Sequence, residues 1–108
     1  MGAPLYISVD LGAGSGRVFL VSFESDRLLL DEIRRFRYPP RMVDGRLSWN
    51  FNLIFENISL GIERAKEAAS KLDGQLLSVG IDSWAVDYGL LDADGQLIAD
   101  PTCYRDRR

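Results

Sequence analysis

A glycine-rich stretch between two apolar runs is the feature that most constrains how this chain can fold. Residues 10–17 read DLGAGSGR, and apolar runs precede them at residues 5–9 and follow them at residues 18–23. Closely spaced glycines let the backbone take positive φ angles and bring N–H groups together around an anion. The residues that follow are strand-like, which argues against a Rossmann turn, and the Gly-Lys-Ser/Thr of a P-loop is missing. The stretch therefore predicts a β-hairpin whose turn is suited to hold phosphate.

The side chains of the same stretch fit that chemistry. Ser15 adds a hydroxyl donor, and Arg17 adds a planar cation that suits phosphate oxygens. Asp10 lies at the end of the first predicted strand, where a carboxylate can hold Mg²⁺ directly or through water. The same residues also fit an ordinary glycine-rich hairpin turn with a solvated Asp10 and Arg17, and their spacing leaves both interpretations open.

The first third of the chain predicts a three-stranded antiparallel meander with this loop in its first turn. Alternating apolar residues mark the first strand, and the third strand extends from residue 28 to residue 38. Pro39 and Pro40 end it, since proline cannot donate to a ladder. Residues 41–45 are predicted to form a loop, and Trp49 is interpreted as a packing anchor rather than a binding platform.

The remainder predicts one helix, a returning strand and a hairpin. Apolar side chains recur at three- and four-residue spacing over residues 53–72, which is typical of an amphipathic helix, with Asn52 as its N-cap. Residues 76–81 predict a strand parallel to the first, and residues 86–99 predict a β-hairpin. Together these elements favour an α/β domain of the ribonuclease-H-like class, with a mixed sheet of strand order 3-2-1-4 and a packed helix.

Composition excludes several function classes. The net charge of −3 gives no broad basic field for nucleic acid, and the absence of histidine excludes Ser-His-Asp triads and zinc sites built on histidine. Cys103 is the only cysteine, so no internal disulfide can form, which fits a reducing compartment. No apolar run approaches the roughly 18 residues of a membrane span, and the first residues lack the pattern of a signal peptide. We therefore expect a cytoplasmic protein that binds neither nucleic acid nor membranes.

Three blocks of the sequence resemble a known family. The pattern D-x-G-x-x-S-x-R at residues 10–17 is similar to the first phosphate loop of the actin-like ATPase superfamily and, more narrowly, to the start of the rhamnulokinase branch of the FGGY carbohydrate kinases. Residues 78–88, SVGIDSWAVDY, resemble the family's G-I-D-[ST]-W-G-V-D block, and residues 104–108, YRDRR, resemble its Y-R-D-x-R block. One position departs from the pattern, because Ala85 stands where the rhamnulokinase branch usually carries glycine.

The resemblance implies a specific reaction. Members of this branch transfer the γ-phosphoryl group of MgATP to the 1-hydroxyl of L-rhamnulose, so ATP and Mg²⁺ are the implied cofactors. Residues 1–108 would form the N-terminal part of domain I of such a kinase. The family's catalytic base lies later in its sequence, so these residues alone are expected to be inactive.

The resemblance also implies roles for individual residues. Arg17 would neutralise charge in the transition state, and Asp10 would help to fix the metal ion, so these two are the candidate catalytic residues. The segment from residue 82 to residue 87 would lie on the sugar side of the cleft. The phosphate cradle would be formed by Ala13, Gly14, Ser15, Gly16 and Arg17. The sugar side would be formed by Trp84, Ala85 and Asp87.

Other interpretations stay open at this stage. Asp82 and Asp87 are five residues apart and would converge as a carboxylate pair only if the chain bends near Trp84. Otherwise one caps a turn and the other is solvated or paired with a cation. The chain also fits a kinase for another sugar or polyol, or a phosphatase-like ATP hydrolase. A non-catalytic module is a further alternative, one that binds nucleotide weakly or self-associates through uncovered sheet edges.

Overall fold

A four-stranded mixed sheet covered on one face by a single helix forms the centre of the structure, a computed structural model that describes residues 2–107. The elements in chain order are β1 (Pro4–Leu11), β2 (Ser15–Glu24), β3 (Arg27–Arg37), β4 (Arg41–Val43), β5 (Arg46–Ser48), α1 (Phe51–Lys71) and β6 (Gln75–Asp82). The sheet order is β3-β2-β1-β6, with β1 antiparallel to β2 and parallel to β6. The predicted order 3-2-1-4 is therefore confirmed, with β6 as the fourth strand of the main sheet.

The core lies between the helix and the first two strands. Leu5, Ile7 and Val9 point to one face of β1 and are buried, as their alternation predicts. In the antiparallel register Ile7 lies opposite Leu20, and Val9 lies opposite Val18. These pairs give the sheet one continuous apolar face, and burying that face against a helix supplies most of the driving force for folding.

Helix α1 begins two residues earlier than the sequence predicted. Asn50, not Asn52, is the N-cap, and its side-chain oxygen accepts a hydrogen bond from the backbone N–H of Leu53 at 3.2 Å. Trp49, directly before this cap, is buried in the core, as expected of a packing anchor. Among residues 2–107, no helix is both long enough and apolar enough to span a membrane.

The predicted loop at residues 41–45 is instead a small hairpin. Strands β4 and β5 pair antiparallel, separate from the main sheet, and Asp44 and Gly45 connect them with φ angles of 51° and 78°. Two positive φ values at an Asp-Gly step are typical of a tight turn whose twist matches that of paired strands. The Asp-Gly step was therefore a hairpin signal that the prediction did not use.

The predicted hairpin at residues 86–99 is reduced to a turn. Its two sides share one isolated bridge, between Leu91 and Leu97, and Asp92 organises the turn by accepting hydrogen bonds from the backbone N–H groups of Asp94 and Gln96, both at 2.9 Å. Two backbone hydrogen bonds flank this bridge, from the N–H of Asp92 to the carbonyl of Gln96 at 2.8 Å and from the N–H of Ile98 to the carbonyl of Leu90 at 2.9 Å. The predicted hairpin is therefore present at its turn, but its pairing is too short to form two strands.

The last described residues return to β5. The N–H of Trp49 donates to the carbonyl of Pro101 at 2.9 Å, and the N–H of Cys103 donates to the carbonyl of Leu47 at 2.8 Å. The carboxylate of Asp106 accepts a hydrogen bond from the N–H of Leu47 at 2.7 Å. The Y-R-D-x-R block therefore has a structural contact through its aspartate, while its final residue, Arg108, lies outside the described residues.

Gly61 sets the closest approach of helix and sheet, and this approach generates a stability prediction. A Cβ atom at Gly61 would lie 2.5 Å from Cγ2 of Val18. Alanine is favoured over glycine in a helix by about 1 kcal/mol, but overpacking a core costs about 1–3 kcal/mol. We expect Gly61→Ala to lower the free energy of unfolding by about 1 kcal/mol in urea titrations.

The matched control is Ser59→Ala at an exposed position of the same helix. It should be neutral or stabilising by a few tenths of a kcal/mol, since only helix propensity changes there. A Gly61→Ala protein as stable as Ser59→Ala would contradict the close packing of α1 on β2.

Candidate phosphate loop and aromatic pocket

Tyr38 organises the backbone of the glycine-rich loop. Its N–H donates to the carbonyl oxygen of Gly14 at 2.9 Å, and its hydroxyl oxygen lies 2.6 Å from the carbonyl oxygen of Gly12 and 2.8 Å from that of Ser15. The N–H of Gly12 donates to the same Ser15 carbonyl at 2.8 Å and closes the turn. Tyr38 has no exposed surface, so three carbonyl groups of the loop are turned toward the protein interior.

This arrangement points other groups of the loop outward. The described residues contain no cis peptide bond, so each N–H points opposite to the carbonyl of the preceding residue. Since the carbonyls of Gly12 and Gly14 face Tyr38, the N–H groups of Ala13 and Ser15 face away from it. Outward N–H groups on a glycine-rich turn are a typical binding surface for an anion.

Gly16 follows the turn and must be glycine for steric reasons. It is buried, and a Cβ atom there would lie 2.6 Å from the ring of Phe36. The residues predicted to form the cradle, Ala13 to Arg17, have different surroundings in the structure. Ala13 and Ser15 direct N–H groups outward, whereas Gly16 lets the loop rest on the core.

Charged side chains lie in a row beside this loop. In the sheet register Asp10 is opposite Arg17, and Arg17 is opposite Arg35 on the next strand. Nη2 of Arg17 lies 2.9 Å from Oδ2 of Asp10, with the two side chains 42% and 44% exposed. The Arg17 guanidinium also lies 5.1 Å from the centre of the Phe19 ring. The two predicted catalytic residues are thus in contact with each other.

An open depression of about 220 Å³ lies over this row. It is lined by Asp10, Gly12, Ser15, Arg17 and Arg35. Sequence reasoning missed Arg35, which also forms an ion pair with Glu32 at 2.8 Å. The available signal was the alternation along β3, which places every second residue, including Arg35 and Arg37, on the face that carries Arg17.

The acidic residues at this edge suit a metal ion that keeps much of its water. Asp82 ends β6 and lies beside Asp10 in the parallel register. Within residues 2–107, no group of three or more histidine, cysteine, aspartate or glutamate side chains is arranged to hold a metal ion. Mg²⁺ typically takes one or two carboxylates together with substrate phosphates and water. The partly exposed carboxylate of Asp10, beside the glycine-rich loop and next to Asp82, fits that requirement.

Asp87 forms the centre of an aromatic cluster. Its Oδ2 accepts a hydrogen bond from Nε1 of Trp49 at 2.7 Å and another from Nε1 of Trp84 at 2.9 Å. The two indole rings lie 4.8 Å apart, and Trp84 stacks on Tyr38 with ring centres 6.0 Å apart. The cluster therefore connects the segment after β6 with the residue that holds the phosphate loop.

A second pocket, of about 210 Å³, opens beside this cluster. Its apolar lining includes Leu11, Trp49, Phe51, Ile54, Trp84 and Tyr88. Of the three residues assigned to the sugar side, Trp84 and Asp87 contribute to its wall, whereas Ala85 is exposed and lies outside the lining. Asp87 faces two indoles and Asp82 lies beside Asp10, so each carboxylate has its own surroundings.

The pKa of Tyr38 is raised from its ordinary value of 10.0 to about 12. Burial is the larger cause, because it disfavours the phenolate, and the negative charge of Asp10 adds to it. The hydroxyl therefore remains a hydrogen-bond donor to the loop at neutral pH. Because the folded pKa is the higher one, this group's contribution to stability is complete below pH 10.0 and is lost as the pH rises through about 12.

Comparison with known proteins supports a single class. No family model matches the chain. Two solved sugar kinases share the fold of this chain. The ligand-bound xylulose kinase of Lactobacillus acidophilus has a TM-score of 0.70 at 18% identity over 92% of this chain. A xylulose kinase of Brucella ovis has a TM-score of 0.69 at 17% identity over 96% of this chain. The chain covers 19% and 21% of those two chains. The fold is thus that of the actin-like ATPase class, as found in FGGY kinases.

A relative in sequence narrows this class. The rhamnulokinase of Ligilactobacillus salivarius (strain UCC118) is 39% identical over 103 residues, which is 95% of this chain and 20% of that protein. The predicted resemblance is therefore confirmed: the chain is homologous to one part of the FGGY carbohydrate kinases and matches a rhamnulokinase over nearly its whole length. It spans about one fifth of the length of the relatives it matches.

The carboxylate of Asp87, which accepts hydrogen bonds from both tryptophans, leads to a second stability prediction. Removing this carboxylate leaves two indole N–H groups without their partner, and an unpaired buried donor costs about 1–3 kcal/mol. We expect Asp87→Ala to lower the free energy of unfolding by about 2–3 kcal/mol. Asp87→Asn keeps one carbonyl oxygen and should lose about half as much.

The matched control is Asp94→Ala, which removes an exposed carboxylate in the same part of the chain. Its effect should stay within about 0.5 kcal/mol, as is usual for surface positions. If Asp87→Ala were as stable as Asp94→Ala in the same urea titrations, the two hydrogen bonds to tryptophan would contribute nothing to folding.

Proposed function

We propose that this chain supplies the phosphate loop of a kinase that transfers the γ-phosphoryl group of ATP to the 1-hydroxyl of L-rhamnulose. The observation that carries the proposal is the orientation of the loop backbone, with carbonyls turned to Tyr38 and the N–H groups of Ala13 and Ser15 turned outward. Residues 1–108 form the first part of domain I in this proposal, and the protein acts in the cytoplasm.

Phosphoryl transfer mainly requires that the reactants are positioned and that the charge of the transition state is stabilised. The bond between the γ-phosphorus and the bridging oxygen breaks, ADP leaves, and a bond to the sugar oxygen forms. The N–H groups of the loop hold phosphate oxygens, and the guanidinium of Arg17 neutralises negative charge that moves onto the leaving group. The proton of the sugar hydroxyl goes to a base that residues 1–108 do not supply.

Asp10 would hold Mg²⁺, directly or through water. When bound, Mg²⁺ screens the phosphate charges and orients the phosphoryl group. The resting partner of Asp10 is Arg17, at 2.9 Å. Binding of MgATP would separate this pair, giving the carboxylate a cation and the guanidinium an anion.

The sugar would bind in the aromatic pocket beside the loop. Trp84 offers an apolar face, and Asp87 holds its indole in place through the hydrogen bond at 2.9 Å. Ala85 is exposed and lies outside the lining of this pocket, so its methyl group would contact only a part of the sugar that extends beyond the pocket. A sugar with an apolar edge, such as a deoxy sugar with a terminal methyl group, suits such a wall.

The first test is sugar-dependent release of ADP. MgATP and L-rhamnulose are supplied to the 108-residue chain and to the full reading frame that carries it, since relatives are about five times longer. We expect ADP in proportion to added L-rhamnulose from the longer protein only. ADP release that ignores added sugar would indicate a hydrolase, and release with another sugar would move the proposal to that substrate.

Arg17 provides the sharpest mutational test within this proposal. Removing a group that stabilises charge in the transition state costs about a hundredfold or more in kcat. We expect Arg17→Ala in the longer protein to lower kcat for L-rhamnulose phosphorylation by about that factor, with a smaller effect on the KM for the sugar.

Arg27→Ala is the matched control, because Arg27 lies at the opposite end of the sheet and pairs in register with Glu24. It should keep wild-type kinetics. A kcat for Arg17→Ala that stays near the value for Arg27→Ala would rule out the proposed role of Arg17.

A further inference from the structure

We propose that Tyr38 is a positioning residue whose hydroxyl fixes the nucleotide-binding state of the phosphate loop; the inference rests on the proposed function. The hydroxyl oxygen lies 2.6 Å from the Gly12 carbonyl and 2.8 Å from the Ser15 carbonyl. Tyr38 follows β3, more than 20 residues away along the sequence, and makes no direct contribution to the outer surface of the loop.

The hydroxyl matters because of the peptide between Gly12 and Ala13. The Ser15 carbonyl has a second donor, the N–H of Gly12 at 2.8 Å, whereas Tyr38 is the donor to the Gly12 carbonyl. Without the hydroxyl, this carbonyl faces the interior with no donor, which favours rotation of the peptide plane. The rotation would change ψ of Gly12, which glycine permits at low steric cost, together with φ of Ala13.

A rotated peptide would invert the binding surface. The N–H of Ala13 would turn inward, and the carbonyl oxygen of Gly12 would face the phosphate instead. An oxygen dipole directed at an anion repels it, so the loop would lose one donor and gain one repulsive contact. The effect should fall on nucleotide binding, since the ring of Tyr38 and its stacking on Trp84 are untouched by loss of the hydroxyl.

The variant that isolates this effect is Tyr38→Phe in the longer protein. Two matched controls accompany it. Tyr6→Phe removes a phenol hydroxyl that makes no hydrogen bond to another described residue. Ile7→Val removes one methylene from the core beneath β1 and lowers stability without touching the loop.

The dissociation constant for MgADP and the KM values for MgATP and L-rhamnulose are measured for each protein, together with the temperature midpoint of unfolding. For Tyr38→Phe we expect about a tenfold increase in the Kd for MgADP and in the KM for MgATP, as for loss of one buried hydrogen bond. The KM for the sugar should stay within about twofold. Both controls should keep wild-type nucleotide binding, including Ile7→Val, whose midpoint falls.

The outcomes separate this inference from the proposed function. If the wild type binds MgADP but phosphorylates no sugar, the proposed function fails, and the ratio of Kd values still decides the role of Tyr38. If the wild type phosphorylates L-rhamnulose and Tyr38→Phe binds nucleotide within twofold of it, the inference on Tyr38 alone is overturned. Equal weakening in Tyr38→Phe and Ile7→Val would overturn it as well, because lost stability would then explain the effect. Absence of nucleotide binding in the wild type would overturn both.

Discussion

The rest of the structure depends on how the carbonyl groups of the glycine-rich loop are satisfied inside the protein. A backbone carbonyl oxygen turned away from water needs a hydrogen-bond donor, and losing that donor costs about 1–3 kcal/mol of stability. Tyr38 supplies donors to this loop from its backbone and from its hydroxyl. Because a planar peptide couples an inward carbonyl to an outward N–H, satisfying the interior also prepares the exterior for an anion. Folding of the core and the outward orientation of these N–H groups are therefore one event.

The central strand brings the two candidate sites to one edge. Strand β1 pairs with β2 through the phosphate loop and lies parallel to β6, so the carboxyl ends of β1 and β6 meet. Ligands of α/β sheets bind outside such ends. The chain leaves β6 after Asp82 and forms the aromatic cluster, where Trp84 stacks on Tyr38. The same tyrosine thus contacts the glycine-rich loop with its hydroxyl and Trp84 of the aromatic cluster with its ring.

Sequence patterns predicted what local chemistry determines. Alternation in β1, helical spacing in α1 and the spacing of the glycine-rich loop are properties of neighbouring residues, and the strand order followed from them. The sequence patterns missed features that depend on contacts between residues far apart in the chain. Asn50 and Asn52 are both suitable caps by residue type, and in the structure Asn50, directly after the buried Trp49, takes this position. Likewise, the partners of Asp87 are two indoles, one of them 38 residues away, which no local pattern indicates.

The ion pair between Asp10 and Arg17 is weak, and its weakness matters for the proposed reaction. Both side chains are more than two-fifths exposed, and an ion pair of this kind contributes about 0–1 kcal/mol. Breaking it therefore costs little, whereas a buried pair would resist separation by several kcal/mol. Until a ligand arrives, each charge holds the other at the mouth of the loop. In the proposed reaction, MgATP offers both a cation and an anion, so it can replace both partners at once. Free phosphate would compete only for Arg17 and would leave Asp10 without its cation.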